Sequence, residues 1–137
     1  GALRKLSLDG SPESLVRLDA FVMELHANGY ADEIDLDDEP SQNFLYFVAF
    51  YLGKVAASRL GIEPNWISWE VLTEANPQLK DAIPEVFGTS VMCALGTTLY
   101  IPLSVVMARL YEGDEGEKSL GSSVDSIVAS ARSESKR

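Results

Sequence analysis

Nine consecutive apolar residues, Phe44-Leu-Tyr-Phe-Val-Ala-Phe-Tyr-Leu52, constrain this chain more than any other stretch. The run is far short of the ~20 residues that span a bilayer as a helix. It also lacks the alternation of a half-buried strand. Pro40-Ser41 upstream reads as a helix start and Gly61 as its stop, so the run forms the first half of a helix over about 41–60. A helix apolar on every side is expected to be enclosed by protein. Lys54, Ser58 and Arg59 give its second half a polar face. Gly53 falls in its middle, at a cost of about 1 kcal/mol relative to Ala. The compensation expected there is a neighbouring backbone that passes close by.

The other elements must supply the enclosure. Ser11-Pro12-Glu13 offers a capping hydroxyl, a proline at the first helical position and an acid near the positive end of the dipole. Leu15, Leu18, Phe21, Val22 and Leu25 then mark one buried face, and Asn28-Gly29 closes a first helix over 11–28. After Pro64, Trp66-Ile-Ser-Trp-Glu-Val-Leu72 reads as a strand, with Ile67, Trp69 and Val71 on one face and Trp66, Ser68, Glu70 and Leu72 on the other. Residues 87–95 lean to strand, and Gly96-Thr97 turns the chain into a further strand over 98–101. Pro102 opens another helix that Gly113 closes, and Ser122-x-x-Asp125 forms a capping box for a last one. Strands grouped between helices predict an α+β fold. It has two N-terminal helices, a small antiparallel sheet of about three strands and two C-terminal helices. The 137 residues form one domain, with 1–10 and 132–137 expected to fray.

Charge is concentrated. The net charge is −10, from 21 acids against 11 Lys and Arg. Asp32, Glu33, Asp35, Asp37, Asp38 and Glu39 supply six of the acids, and Glu112, Asp114, Glu115 and Glu117 four more. The remaining eleven acids balance the eleven bases. With no basic stripe, the chain is not expected to bind nucleic acid or an anionic membrane. The acidic segments read either as solvated loops or as docking surface for a basic partner. Opening on Gly1 rather than Met, the chain is read as trimmed at its start; the single Cys suits the cytoplasm and leaves the periplasm open.

Searches for chemistry fail for definite reasons. Asp35-x-Asp37-x-Glu39 begins like a calcium loop, but Pro40 and Tyr46 stand where an EF-hand needs Gly and Glu. Gly113-Asp-Glu-Gly116-Glu-Lys118-Ser119 resembles the end of a phosphate loop, but Glu117 replaces the Gly before the Lys and four acids would repel phosphate. Gly88-Thr-Ser90-Val-Met92 lacks the second Gly of a nucleophile elbow. One Cys and one His exclude a multi-Cys or two-His metal site. Cys93, in Val91-Met-Cys-Ala-Leu95, reads as a small buried hydrophobe. His26 reads as a surface residue at the negative end of the first helix. No cofactor or metal is expected. Trp66 and Trp69 are read as core residues, or as a binding face where one is left exposed.

Leu52-Gly53-Lys54-Val55, then Asn65-Trp66-Ile67, then Leu99-Tyr-Ile-Pro102 and Arg109-Leu-Tyr-Glu-Gly113 set a pattern over about 44–128. In this the chain resembles an uncharacterised bacterial domain family. The resemblance implies helices packed against a small antiparallel sheet and brings no catalytic residues. Some small acidic bacterial proteins that look like this neutralise toxins, an analogy at the level of fold.

The leading expectation is therefore a protein-binding module, adaptor- or immunity-like. Asp32, Glu33, Asp35, Asp37, Asp38, Glu39, Trp66 and Trp69 would form its surface for a basic protein. A small-ligand domain, with its pocket between the second helix and the sheet, is the alternative. A carboxylate-based hydrolase has least support. With 46% hydrophobic residues and its excess charge confined to two segments, the chain is also expected to form a homodimer.

Overall fold

A computed structural model describes residues 8–34, 37–113 and 119–135. Helix α1 covers Pro12–Ala27, with Pro12 in its first turn and the Ser11 hydroxyl accepting from the Ser14 amide. Asp9 supports this start: its Oδ1 accepts from the Ser11 amide at 3.1 Å and from the Ser11 hydroxyl at 2.5 Å. The Ser11 hydroxyl, and then its amide, hold the Asp9 carboxyl below its usual range. A single turn, α2, covers Tyr30–Glu33, and α3 runs Glu39–Leu60. The chain then forms β1 (Asn65–Ser68), α4 (Trp69–Ala75), α5 (Leu79–Ala82), a 3₁₀ turn (Phe87–Thr89), β2 (Val91–Leu95), β3 (Thr98–Tyr100), α6 (Pro102–Glu112) and α7 (Leu120–Ser135). The fold is α+β, with one three-stranded antiparallel sheet in the order β1-β2-β3.

Register decides which side chains meet the helices. Trp66 pairs with Cys93, and Cys93 with Tyr100, while Leu95 pairs with Thr98 across the turn at Gly96, whose φ is +67°. That face joins the principal core: Cys93, Leu95 and Tyr100 are buried with Leu15, Leu18 and Val22 of α1, Leu45, Val48 and Leu52 of α3, Leu103, Val106 and Leu110 of α6, and Leu120, Val124 and Val128 of α7. Ile67 and Met92 pair on the opposite face, where Met92 is buried outside that cluster.

Several sequence expectations change. The strand expected over 66–72 stops at Ser68. Its hydroxyl accepts from the Val71 amide at 3.2 Å, so the residue that pairs with Val91 is also the cap of α4. Trp66 and Trp69 thus sit on different elements rather than on two faces of one strand. The β-leaning stretch over 87–95 begins with the 3₁₀ turn, held where the Thr89 hydroxyl donates to Pro84 O at 2.6 Å and accepts from the Val86 amide at 3.1 Å. Helix α3 starts two residues early because Asp38 caps it, accepting from the Ser41 amide at 3.2 Å. Ser119, not Ser122, caps the last helix, accepting from the Ser122 amide at 3.1 Å. That helix continues to Ser135: Arg132 donates to Arg59 O, and Glu134 accepts from the hydroxyls of Thr97 and Thr98. The remainder of the ends expected to fray, 1–7 and 136–137, lies outside the described residues.

Gly53 is buried, but what approaches it is a side chain. A Cβ at Gly53 would overlap Cη2 of the Trp66 indole and lie 2.8 Å from its Cζ2. The glycine is the slot that admits Trp66.

One carboxylate ties the helices together. Asp19 of α1 receives Arg109 Nε and Nη2, each at 2.8 Å, and the amide of Leu120 at 3.0 Å. Arg109 also donates through Nη1 to Gly113 O. His26 Nδ1 donates to Leu110 O at 2.8 Å, so this histidine binds the end of α6 rather than that of its own helix. Arg109-Leu-x-x-Gly113 is thus a structural clamp. Among the described residues, no helix is long and apolar enough to cross a membrane.

Candidate functional site

Enclosure of α3 is incomplete. Leu45, Val48, Ala49, Leu52, Gly53, Val55, Ala56 and Ala57 are buried, but Phe47 is 44% exposed and Phe50 42%. This overturns the expectation that protein surrounds the apolar run on every side. Glu39, Asn43, Phe47, Phe50 and Lys54 follow at helical spacings of three and four, and all five are exposed. They form one outward line on a helix whose opposite side is buried. The signal was legible: Asn43 and Lys54 bracket the two phenylalanines at those spacings, so the polar line crosses the apolar run.

The rings beside this line are packed together. Phe50 meets Trp66 edge to face, with centroids 4.7 Å apart at 86°. Tyr46 stacks on Phe50 at 6.2 Å and leans on Phe87 at 5.5 Å. Gly53 lets the indole lie against α3, and the indole backs Phe50. The exposed phenylalanine is therefore held by its neighbours.

The predicted site residues divide accordingly. Asp32 and Glu33 are exposed on α2, Asp37 in the following turn, Asp38 at the cap of α3 and Glu39 in its first turn. Asp35 lies outside the described residues. Trp66, half-buried, belongs to the aromatic cluster. Trp69 does not: its indole N–H donates to Ile83 O at 3.0 Å and fastens α4 to the end of α5. Phe47 and Phe50, absent from the predicted set, supply exposed apolar surface on α3; Val16, Ile62, Val71, Val86 and Tyr111 are exposed elsewhere.

Two open hollows flank Lys54. One, of about 390 Å³, is lined by Lys54, Ser58, Gly61, Ile62, Glu63 and Pro64. The other, of about 310 Å³, shares Lys54 and Ser58 and reaches Asp9 and Tyr51. The Tyr51 hydroxyl is already bonded to the Gly10 amide at 2.8 Å and the Ser14 hydroxyl at 2.6 Å.

Burial pushes the Cys93 thiol up to about 11, against a backbone hydrogen bond from Asn65 that lowers it. Burial likewise pushes Tyr100 up to about 12, while its bond with the Ser123 hydroxyl at 2.9 Å lowers it. Neither is an activated nucleophile. No group of three or more His, Cys, Asp or Glu among the described residues could hold a metal ion. Comparison of the chain with family models, with curated proteins and with solved structures found no match.

Proposed function

We propose that this chain is a protein-binding module, adaptor- or immunity-like, that docks a basic protein on the aromatic line of α3 and the acids at its head. The observation that carries this reading is the exposure of Phe47 and Phe50, one turn apart on a helix that buries eight of its residues. Rigid aromatic side chains at the centre of a patch, bordered by polar groups, are the usual anchors of protein interfaces. The hollows at Lys54 support a small-ligand reading less well. They are open, and with Tyr51 and Asp9 already engaged they offer few converging polar groups.

The test compares wild type with a Phe47→Ser/Phe50→Ser variant, both immobilised and challenged with the same extract of the source cells. The variant should melt several degrees lower, because Phe50→Ser removes the edge-to-face pair with Trp66, so circular dichroism must show it folded before the comparison is made. The reading expects a basic protein retained by wild type and lost from the variant. Identical retained proteins on both would refute it.

A further inference from the structure

We infer that the element docked on α3 is a cationic amphipathic helix, laid lengthwise with its basic end over Asp37, Asp38 and Glu39 and its apolar ridge on Phe47 and Phe50. This rests on the protein-binding reading and names the chemistry of the partner. The apolar line carries the site, and the charge at its ends selects the occupant.

The shape is that of a helix's partner. From Glu39 to Lys54 the exposed line advances about 22 Å, at ~1.5 Å per residue. Another helix of about 15 residues matches that length. Side chains at spacings of three and four form a straight ridge, and a second helix fits its own ridge alongside. Phe50 is braced by Trp66 and Tyr46, so little side-chain freedom remains to be lost on docking.

Charge then sets identity and direction. Asp37, Asp38 and Glu39 stand exposed at the head of the line, and Lys54 at its other end shares its hollows with Glu63 and Asp9. The acids are concentrated at the head, so a partner with cations at one end is attracted most strongly there. A second copy of this chain would bring a net charge of −10 against −10.

The probe is a synthetic helical peptide of about 15 residues, with leucines at spacings of three and four and lysines confined to one end. Its binding to the full chain is followed by fluorescence anisotropy. Phe47→Ser/Phe50→Ser should weaken binding about tenfold or more. Asp37→Asn/Asp38→Asn/Glu39→Gln should weaken it several-fold and flatten its salt dependence, with the helix cap kept because Asn caps as well as Asp. Lys54→Glu should strengthen binding of a peptide with lysines along its whole length.

Equal affinity for wild type and the phenylalanine variant would overturn the inference, since the attraction would then be acid–base alone. So would absence of binding. So would a wild-type chain that sediments as a dimer while the phenylalanine variant sediments as a monomer, for the occupant would then be a second copy. If the peptide fails but the phenylalanine variant still loses the protein retained by wild type, the helical cationic partner falls and the protein-binding reading stands. If neither depends on the phenylalanines, both fall.

Discussion

Substituting Gly53 by Ala sets two opposite effects against each other at one atom. On an isolated helix the change stabilises by about 1 kcal/mol. Here the added methyl would overlap the six-membered ring of Trp66. The indole cannot retreat freely. Its strand is paired with β2, and its ring meets Phe50 at 4.7 Å. Forcing it out should cost ~1–3 kcal/mol in overpacking, plus ~0.5–1.5 kcal/mol for the aromatic pair. Set against the propensity gain, the net is a destabilisation of about 0.5–3.5 kcal/mol. For a chain of this size that lowers Tm by roughly 2–14 °C. Gly53→Leu should fall at or beyond the upper end. The decisive arm is the same change in a Trp66→Ala background. There the slot is empty, and Gly53→Ala should reverse sign and stabilise by about 1 kcal/mol. Urea unfolding of the four proteins measures the cycle. A wild-type background in which Gly53→Ala raises stability would refute the reasoning, because the slot would then have no occupant that resists.

Two further outcomes follow from other sites. Asp19→Ala should cost about 3–5 kcal/mol by urea unfolding, because it leaves Arg109, with its side chain 9% exposed, without its counter-charge. Asp125→Asn, which breaks the more exposed pair with Arg59, should cost under about 1 kcal/mol; equal losses at the two sites would refute the distinction. Above neutral pH, stability should fall as pH rises through 9. Cys93 rises from 9.0 to about 11 and Tyr100 from 10.0 to about 12 on folding, so the unfolded chain releases these protons first. Unfolding measured between pH 8 and pH 12 should show that decline, and Cys93→Ala/Tyr100→Phe should flatten it; an unchanged slope in the variant would place the cause elsewhere.

The class of fold was legible because helix stops, prolines and apolar spacing are local signals. Ser11-Pro12, Gly61, Gly96 and Pro102 each act where the sequence places them. What was lost turned on competition between local and distant partners. Trp69-Glu-Val-Leu72 alternates as a strand should, yet Ser68 captures the Val71 amide and starts a helix. The backbone expected at Gly53 was the indole of Trp66, thirteen residues further along the chain, which no spacing within α3 could announce. Among the predicted site residues, the exposure of Asp32, Glu33, Asp37, Asp38 and Glu39 followed from their charge. Phe47 and Phe50 were passed over among their apolar neighbours, although Asn43 and Lys54 at helical spacing mark that side as bare. Trp69 was placed on the strand by the same reading and lies instead in α4.

The bond from Asp19 to the Leu120 amide spans 101 residues, and this has a consequence for synthesis. During translation α1 and α3 emerge long before their covering elements, α6 and α7. At about 5–20 residues per second, an interval of roughly 5–20 s separates Asp19 from its last partner. The nine-residue apolar run of α3 ends at Leu52, so for about 3–14 s of that time it has little of its native cover, and the acidic segment made just before it supplies charge that repels neighbouring nascent chains.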